Sequence, residues 1–244
     1  MKRIITLILG LMLVICLSSC GAGTGTDAGS TDVEAENAKN TLSLDTAVGD
    51  TVVFGAYEQD ADESNGAEDI EWLVLDKAED RVLLISKYIL DKKPYNEEKE
   101  NVTWEKCSLR EWLNNDFYES AFNQDEKNII AVTNLENKGN GETKGGKDTD
   151  DRIFLLSMYE VKNYLPTAEE RACIRTSYAV NQSENLDMTG GCTWWLRTPG
   201  TSQVYASMVT TEGYIAGKED SYLAGGDVSC AAGVRPALWI NLNA

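Results

Sequence analysis

Carboxylates, aromatic rings and thiols supply the chemistry that this sequence offers. Its 244 residues include 40 Asp and Glu but no histidine. The chain therefore lacks both the Ser-His-Asp and the Cys-His catalytic arrangements and any histidine-ligated metal site. With only 22 Lys and Arg the formal charge is −18, which argues against a nucleic-acid partner, because phosphate backbones select basic surfaces.

Aromatic and arginine side chains in the last third of the chain are the predicted ligand site. Such side chains are typical of surfaces that bind proteins or sugars. Neighbouring side chains of a strand point to opposite faces, so we expect one of Trp194 and Trp195 in the core and the other more exposed. The alternative is that all the rings are core or scattered surface residues. The predicted ligand-binding residues are Trp194, Arg197, Tyr205, Tyr214, Tyr222 and Arg235.

Acidic loops offer the candidate metal ligands. Asp60 and Asp62 place oxygens at alternating positions, as a calcium loop does. An EF-hand, however, needs glycine at its sixth position and a bidentate Glu at its twelfth, where this chain has Asn65 and, inside a predicted strand, Glu71. An acidic hairpin turn is the simpler interpretation. We therefore predict no cofactor and keep calcium at Asp60 and Asp62 as the alternative.

A glycine-rich stretch matches the phosphate-binding pattern G-x-x-x-x-G-K at residues 141–147. The pattern needs Ser or Thr next, where this chain has Asp148, and it needs a strand before and a helix after. Polar residues flank the stretch on both sides, so we predict an internal surface loop.

Four cysteines lie beyond residue 20, and outside a cell they allow three disulfide pairings. We predict Cys192–Cys230, because each lies beside a strand-like segment, and Cys107–Cys173 then follows by elimination. Free, buried thiols are the alternative.

The N-terminus has the pattern of a targeting segment. Lys2 and Arg3 precede an apolar run at 4–17, which is shorter than the about 20 residues of a transmembrane helix. Small residues then precede Cys20, which resembles a bacterial lipoprotein signal in which Cys20 carries the lipid. We predict a signal peptide at 1–19 and a lipid anchor on the outer face of the cell membrane; a plain secretory peptide is the alternative.

The rest of the chain divides into a tether and a domain. Residues 20–41 are poor in apolar side chains and predict a flexible spacer, with a short helix at 33–40 as the alternative. Residues 42–244 predict one extracellular α+β domain with antiparallel strands and segregated helices. Ser108, Ser157 and Thr167 are predicted helix caps. Strands are predicted at 51–57, 70–75, 81–86, 153–156, 194–197, 204–210, 214–216 and 234–240.

One apolar cluster is predicted to lie at helical spacing in the core, with Arg110 as a salt-bridging residue beneath it. The cluster consists of Trp104, Leu109, Trp112, Leu113 and Phe117.

Five motifs together resemble a family of extracellular bacterial domains of unknown function, common in clostridia-like Gram-positive bacteria. The resemblance covers nearly all of residues 46–243. In order, they are G-D-T-V-V-F-G at 49–55, I-E-W-L-V-L at 70–75, W-x-x-C-x-L-R-x-W-L-N at 104–114, W-W-L-R-x-P-G at 194–200 and G-V-R-P-A-L-W-I at 233–240.

The C-terminal half also resembles, more distantly, C-type-lectin-like folds, including sulfatase-modifying-factor-like domains. That resemblance implies binding through the strands and loops between Tyr205 and Tyr222. The sequence lacks the E-P-N, Q-P-D and W-N-D motifs of calcium-dependent sugar binding and a placeable cysteine pair for formylglycine generation.

Together these features predict a membrane-anchored extracellular lipoprotein whose domain recognises a glycan or a protein without catalysis. One alternative is a carboxylate-based enzyme acting on glycans, since paired carboxylates hydrolyse glycosides without histidine. The other is a structural component of the cell envelope.

Overall fold

Strands with many buried apolar side chains build the first sheet. A computed structural model describes residues 42–181, 193–217 and 223–243. Strands β1 (Thr51–Tyr57), β2 (Glu68–Ala78), β3 (Arg81–Ser86) and β12 (Ala237–Asn241) pair in the order β1-β2-β3-β12, with every neighbour antiparallel. The predicted strands at 51–57 and 81–86 are confirmed, and the strand predicted at 70–75 is longer at both ends.

Short strands form the rest of the β-structure. They are β4 (Asp91–Pro94), β5 (Thr133–Leu135), β6 (Thr149–Asp151), β7 (Trp194–Pro199), β8 (Tyr205–Val209), β9 (Ile215–Ala216), β10 (Gly226–Asp227) and β11 (Ala231–Val234). The second sheet has the order β10-β8-β7-β11-β4, with β9 beside β8. Its pairs are antiparallel except β7 with β11, which is parallel. A further antiparallel pair joins β5 to β6.

Two of the predicted strands are wrong. The one at 234–240 is two strands, because β11 ends at Val234 in the second sheet and β12 begins at Ala237 in the first. Pro236 lies between them and has no N–H to continue a ladder of hydrogen bonds. The strand predicted at 153–156 is reduced to one bridge between Phe154 and Ala237. The chain thus crosses from one sheet to the other at Arg235 and Pro236.

The helices described lie between β4 and β7 in the sequence and are all short. A helical turn, Trp104–Lys106, leads into α1 (Ser108–Trp112), which continues through a π-helical turn, Leu113–Phe117, into α2 (Tyr118–Ala121). The remaining helices are α3 (Gln124–Ile129), α4 (Met158–Tyr164), α5 (Ala168–Arg171) and α6 (Ser177–Asn181).

Two of the three predicted helix caps are confirmed, and the third is wrong. Ser157 and Thr167 each form a reciprocal capping box with a glutamate three residues later. Ser108 is the first residue of α1 rather than its cap, and its hydroxyl accepts a hydrogen bond from the backbone N–H of Glu97 at 3.1 Å.

The two sheets and the helices bury one continuous apolar core. Its largest fully buried side chains include Trp72, Trp104, Trp194 and Trp195. The described residues therefore form a single α+β domain with mostly antiparallel strands, as the sequence predicts.

Candidate functional site

Three of the residues predicted to bind a ligand are buried. Trp194, Arg197 and Arg235 expose 0%, 5% and 3% of their surface. A side chain without accessible surface cannot contact a ligand from solvent, so the structure corrects the prediction for these three.

The predicted tyrosines lie apart from that buried group. Tyr214 is the most accessible, with 64% of its surface exposed, whereas Tyr205 is partly buried at the start of β8. Tyr222 lies outside the described residues. The described members of the predicted set therefore do not form one surface.

Both tryptophans of β7 are buried, although they point to opposite faces of the strand. The indole Nε1 of Trp194 donates to the carbonyl of Arg171 at 3.1 Å, and that of Trp195 donates to the carbonyl of Lys93 at 2.9 Å. The expectation that one of them is more exposed is wrong, because the structure covers the second sheet on both faces.

The two arginines join elements of the interior. Arg197 donates through Nη1 to the carbonyl of Leu155 at 3.0 Å and pairs with the carboxylate of Glu160. Arg235 donates through Nε to the carbonyl of Ser86 at 2.8 Å. Burial lowers the pKa of the Arg235 guanidinium. Both arginines therefore stabilise the interior of the domain.

An open groove of about 320 Å³ lies where β7 turns into β8. One wall is this turn, at 201–203, and the opposite wall is the loop at 142–144. Five of the seven lining side chains are neutral hydroxyls or amides, and the other two are the oppositely charged Glu142 and Lys144. The lining residues are Asn101, Glu142, Thr143, Lys144, Thr201, Ser202 and Gln203.

Hydrogen bonds between its walls give the groove its shape. The Thr143 hydroxyl donates to the carbonyl of Thr201 at 2.9 Å, and the Gln203 amide donates to the carbonyl of Lys144 at 3.1 Å. The backbone N–H of Val102 donates to the carbonyl of Gln203 at 3.0 Å, which brings the segment containing Asn101 to the same place.

Two side chains of the groove keep their hydrogen-bonding capacity. Within the described part of the chain, the Asn101 amide and the Ser202 hydroxyl have no hydrogen-bond partner. Neutral donors and acceptors of this kind match the hydroxyl groups of a ligand. The sequence analysis missed this groove; the available signal was the hydrophilic turn T-S-Q at 201–203, directly after P-G.

A charged pair and an aromatic ring stand beside the groove. Lys99, two residues before Asn101, pairs with Asp227 of β10, which lies opposite Tyr205 of β8. The hydrogen bond to Asp227 raises the pKa of Lys99, with a smaller contribution from Tyr205. Partial burial acts to raise the pKa of Asp227, but hydrogen bonds from Lys99 and Ser229 lower it overall. Tyr205 is thus the predicted ligand residue that lies nearest the groove in sequence.

The glycine-rich stretch at 141–147 is a surface loop, as predicted, and it supplies one wall of the groove. Strand β6 follows it, so the stretch lacks the helix N-terminus that a phosphate-binding loop uses.

Three carboxylates near β1 and β2 are close enough to hold a metal ion. Oxygens of Glu58, Asp60 and Glu68 lie within 4.8 Å of one another. Desolvation and the charges of its two neighbours raise the pKa of Glu58, whereas a hydrogen bond from Asn65 lowers that of Asp60. Asp62 is not part of this group; its backbone N–H donates to Asp60. Of the two calcium candidates, only Asp60 therefore has the neighbours that a site needs.

The motif around Trp104 has a structural role that the sequence analysis only partly predicts. Arg110 pairs with the fully buried carboxylate of Asp151 at 2.6 Å, which also accepts from the Trp104 indole at 2.8 Å and from Thr149 at 2.9 Å. The salt bridge predicted for Arg110 is confirmed. Arg110 also lines a groove of about 530 Å³, but its guanidinium is already held by Asp151 and the carbonyl of Glu105.

The structure does not join Cys107 to Cys173, so that predicted disulfide is corrected. Both are buried, and their sulfur atoms contact different carbonyls, of Trp104 at 3.6 Å and of Lys87 at 3.3 Å. Cys230 is an exposed free thiol, and its predicted partner Cys192 lies outside the described residues.

Comparison with known proteins gives one match. The model of a domain of unknown function, DUF6273, matches residues 79–242, which leaves β1 and β2 outside the matched part. No curated protein and no solved structure matches the chain. Among the helices that the structure describes, none has the length and hydrophobicity to span a membrane.

Proposed function

The chain belongs to the DUF6273 family, a family of domains of unknown function, and we propose from the groove that its domain recognises a glycan without acting on it. The observation that carries the proposal is the set of neutral hydroxyl and amide side chains in the groove between the turn at 201–203 and the loop at 142–144. Sugar hydroxyls both donate and accept hydrogen bonds, and uncharged side chains satisfy them without the cost of desolvating an ion.

Tyr205 adds an aromatic ring to this recognition site. It is partly accessible, and its backbone N–H donates to the carbonyl of Ser202 at 3.0 Å, which fixes its position relative to the groove. Binding sites for small ligands combine such rings with a few well-placed polar groups. The C-type-lectin-like resemblance of the C-terminal half supports the same proposal.

The cell-surface location is also part of the proposal. Cys20 would carry the lipid, and residues 20–41 would hold the domain away from the outer face of the membrane. The sequence supports this through its basic start, its apolar run of 14 residues at 4–17 and the small residues before Cys20.

A glycan array tests the recognition. The full-length chain, purified in detergent, is applied to an array of glycans and cell-wall fragments, once with calcium and once with a chelator. We expect saturable binding without cleavage of the bound glycan. Product release would support the carboxylate-based enzyme, whereas an empty array would favour a protein ligand or a structural role. Binding lost in chelator would show that recognition needs a cation, for which Glu58, Asp60 and Glu68 are the candidate ligands.

Labelling with an alkyne-tagged palmitate tests the anchor. The wild-type chain should take up the label in its bacterial host, and Cys20→Ala should not. Cys16→Ala, which alters a cysteine within the predicted signal peptide, is the matched control and should label normally. Equal labelling of Cys20→Ala would contradict the lipid anchor.

A further inference from the structure

The buried amide of Asn140 connects three separate segments at the groove. Only 7% of Asn140 is exposed. Its Nδ2 donates to the carbonyl oxygens of Pro199 at 3.2 Å, of Gly200 at 3.1 Å and of Gly217. A side-chain amide has two N–H groups, so three acceptors share them. This amide therefore holds together parts of the chain that are about 60 to 77 residues apart.

Both walls of the groove start at these contacts. Pro199 and Gly200 come directly before the turn at 201–203, and the loop at 142–144 follows Asn140 after a single glycine. Backbone hydrogen bonds between Asn140 and Thr143, at 2.8 and 2.9 Å, close that loop into a tight turn. A shift of the Asn140 side chain would consequently move one wall relative to the other.

The loop itself is tightly folded. A Cβ atom at Gly145 would lie 2.0 Å from the carbonyl oxygen of Asn137, and one at Gly139 would lie 2.3 Å from that of Thr143. Backbone atoms therefore pack closely around both glycines, and the loop is folded tightly on itself. The Asn140 amide, together with the hydrogen bonds from Thr143 to Thr201 and from Gln203 to Lys144, ties this loop to the turn at 201–203.

We propose that Asn140 is a positioning residue that holds the two walls of the groove at the spacing required to bind a glycan. This inference rests on the proposed function. Asn140 does not line the groove, so it acts on the ligand through the position of Thr143, Thr201 and their neighbours.

Asn137 offers a matched control. It is 8% exposed, it lies in the same loop, and its Nδ2 donates to the carbonyl of Lys147 at 2.8 Å and to the hydroxyl of Thr149 at 3.2 Å. These bonds stay at the base of the loop and do not reach the turn at 201–203. Loss of either buried amide should lower stability, but only loss of the Asn140 amide should change the groove.

The experiment compares Asn140→Asp with Asn137→Asp in the full-length chain. Each change removes the amide donor at nearly constant size and brings a carboxylate against the oxygen atoms that accepted its hydrogen bonds. Affinity for soluble peptidoglycan fragments is measured by calorimetry, and amide hydrogen exchange is followed at 142–144 and 201–203. We expect Asn140→Asp to weaken binding at least tenfold and to speed exchange in both walls, and Asn137→Asp to change affinity less than threefold.

The outcomes separate this inference from the proposed function. If Asn140→Asp binds as the wild-type chain does, or if Asn137→Asp loses as much affinity, the positioning role is overturned while glycan recognition stands. If the wild-type chain binds no fragment, the exchange data decide: equal exchange in the two variants overturns the positioning role. Should Asn140→Asp fail to fold, Asn140→Ser, which keeps one donor, should show smaller changes in the same direction.

Discussion

The interior of the second sheet and the groove at its end are built from opposite kinds of residues. The interior takes large aromatic and cationic side chains, such as Trp194, Trp195 and Arg235, and leaves them almost no accessible surface. The groove takes small neutral side chains, such as Thr143 and Ser202, and leaves some of them without partners among the described residues. Aromatic and arginine residues, whose types are common in binding surfaces, are therefore used here to pack the interior.

The buried arginines show how the interior accommodates polar groups. A guanidinium loses its hydration on burial and needs compensation from hydrogen bonds or an opposite charge. Arg197 has both, from the carbonyl of Leu155 and from Glu160. Arg235 lies over the ring of Trp194 at 5.1 Å, and its Nη1 has no hydrogen-bond partner among the residues that the structure describes. The aromatic ring of Trp194 therefore helps to stabilise the buried charge of Arg235.

Truncation of Trp194 should give the largest effect and is the strongest test of this comparison. Trp194→Ala removes a fully buried ring and the aromatic face beside Arg235. We expect the free energy of unfolding to fall by about 3–5 kcal/mol, the range for large aromatic truncations in cores. Urea unfolding followed by circular dichroism measures it.

Tyr214→Ala is the control for that measurement, because Tyr214 is an aromatic residue of the same region with 64% of its surface exposed. Its free energy of unfolding should change by no more than about 0.5 kcal/mol. Similar losses in the two variants would mean that Trp194 and Tyr214 do not differ in burial as described.

The reactivity of the buried thiol of Cys107 should differ from that of the exposed thiol of Cys230. Burial raises the pKa of the Cys107 thiol to about 12, so its reactive thiolate fraction at pH 8 is roughly a thousandfold below that of an unperturbed thiol. Cys230 is exposed. We expect iodoacetamide to modify Cys230 rapidly in the native chain and Cys107 only after unfolding, as measured by peptide mass. Native Cys230 that reacts only after reduction would instead indicate a disulfide.

The sequence predicts the local structure well where a pattern fixes it. The strand-like pattern at 51–57 predicts β1, the apolar run V-L-L-I at 82–85 predicts β3, and Ser157 and Thr167 form their predicted capping boxes. These features depend on residues within a few positions of each other, so a linear reading contains the necessary information.

The candidate site could not be predicted, because it is formed by contacts between segments that are distant in the sequence. Trp194 and Arg235 have residue types that suit a binding surface, and only the coverage of both faces of the second sheet shows that they are interior. The groove joins Asn101, Thr143 and Ser202 from three distant segments, and no local pattern relates them. Pro236 was the one visible sign that the strand predicted at 234–240 is interrupted.

Removal of the Ser202 hydroxyl should give the smallest change in stability and affinity, and it tests the groove directly. Ser202 lines the groove, and its hydroxyl has no partner in the described part of the chain, so Ser202→Ala should leave the free energy of unfolding within about 0.5 kcal/mol. If the hydroxyl bonds a glycan, its loss should cost about 0.5–1.5 kcal/mol of binding free energy, a two- to tenfold loss of affinity.

Ser120→Ala is the control. It alters an accessible serine of α2, whose hydroxyl donates to the carbonyl of Phe117 at 3.2 Å, and it should leave affinity unchanged. Calorimetry with soluble peptidoglycan fragments measures both variants. Unchanged affinity in Ser202→Ala would place the ligand away from this hydroxyl, whereas a loss of stability would show that the hydroxyl has a partner within the fold.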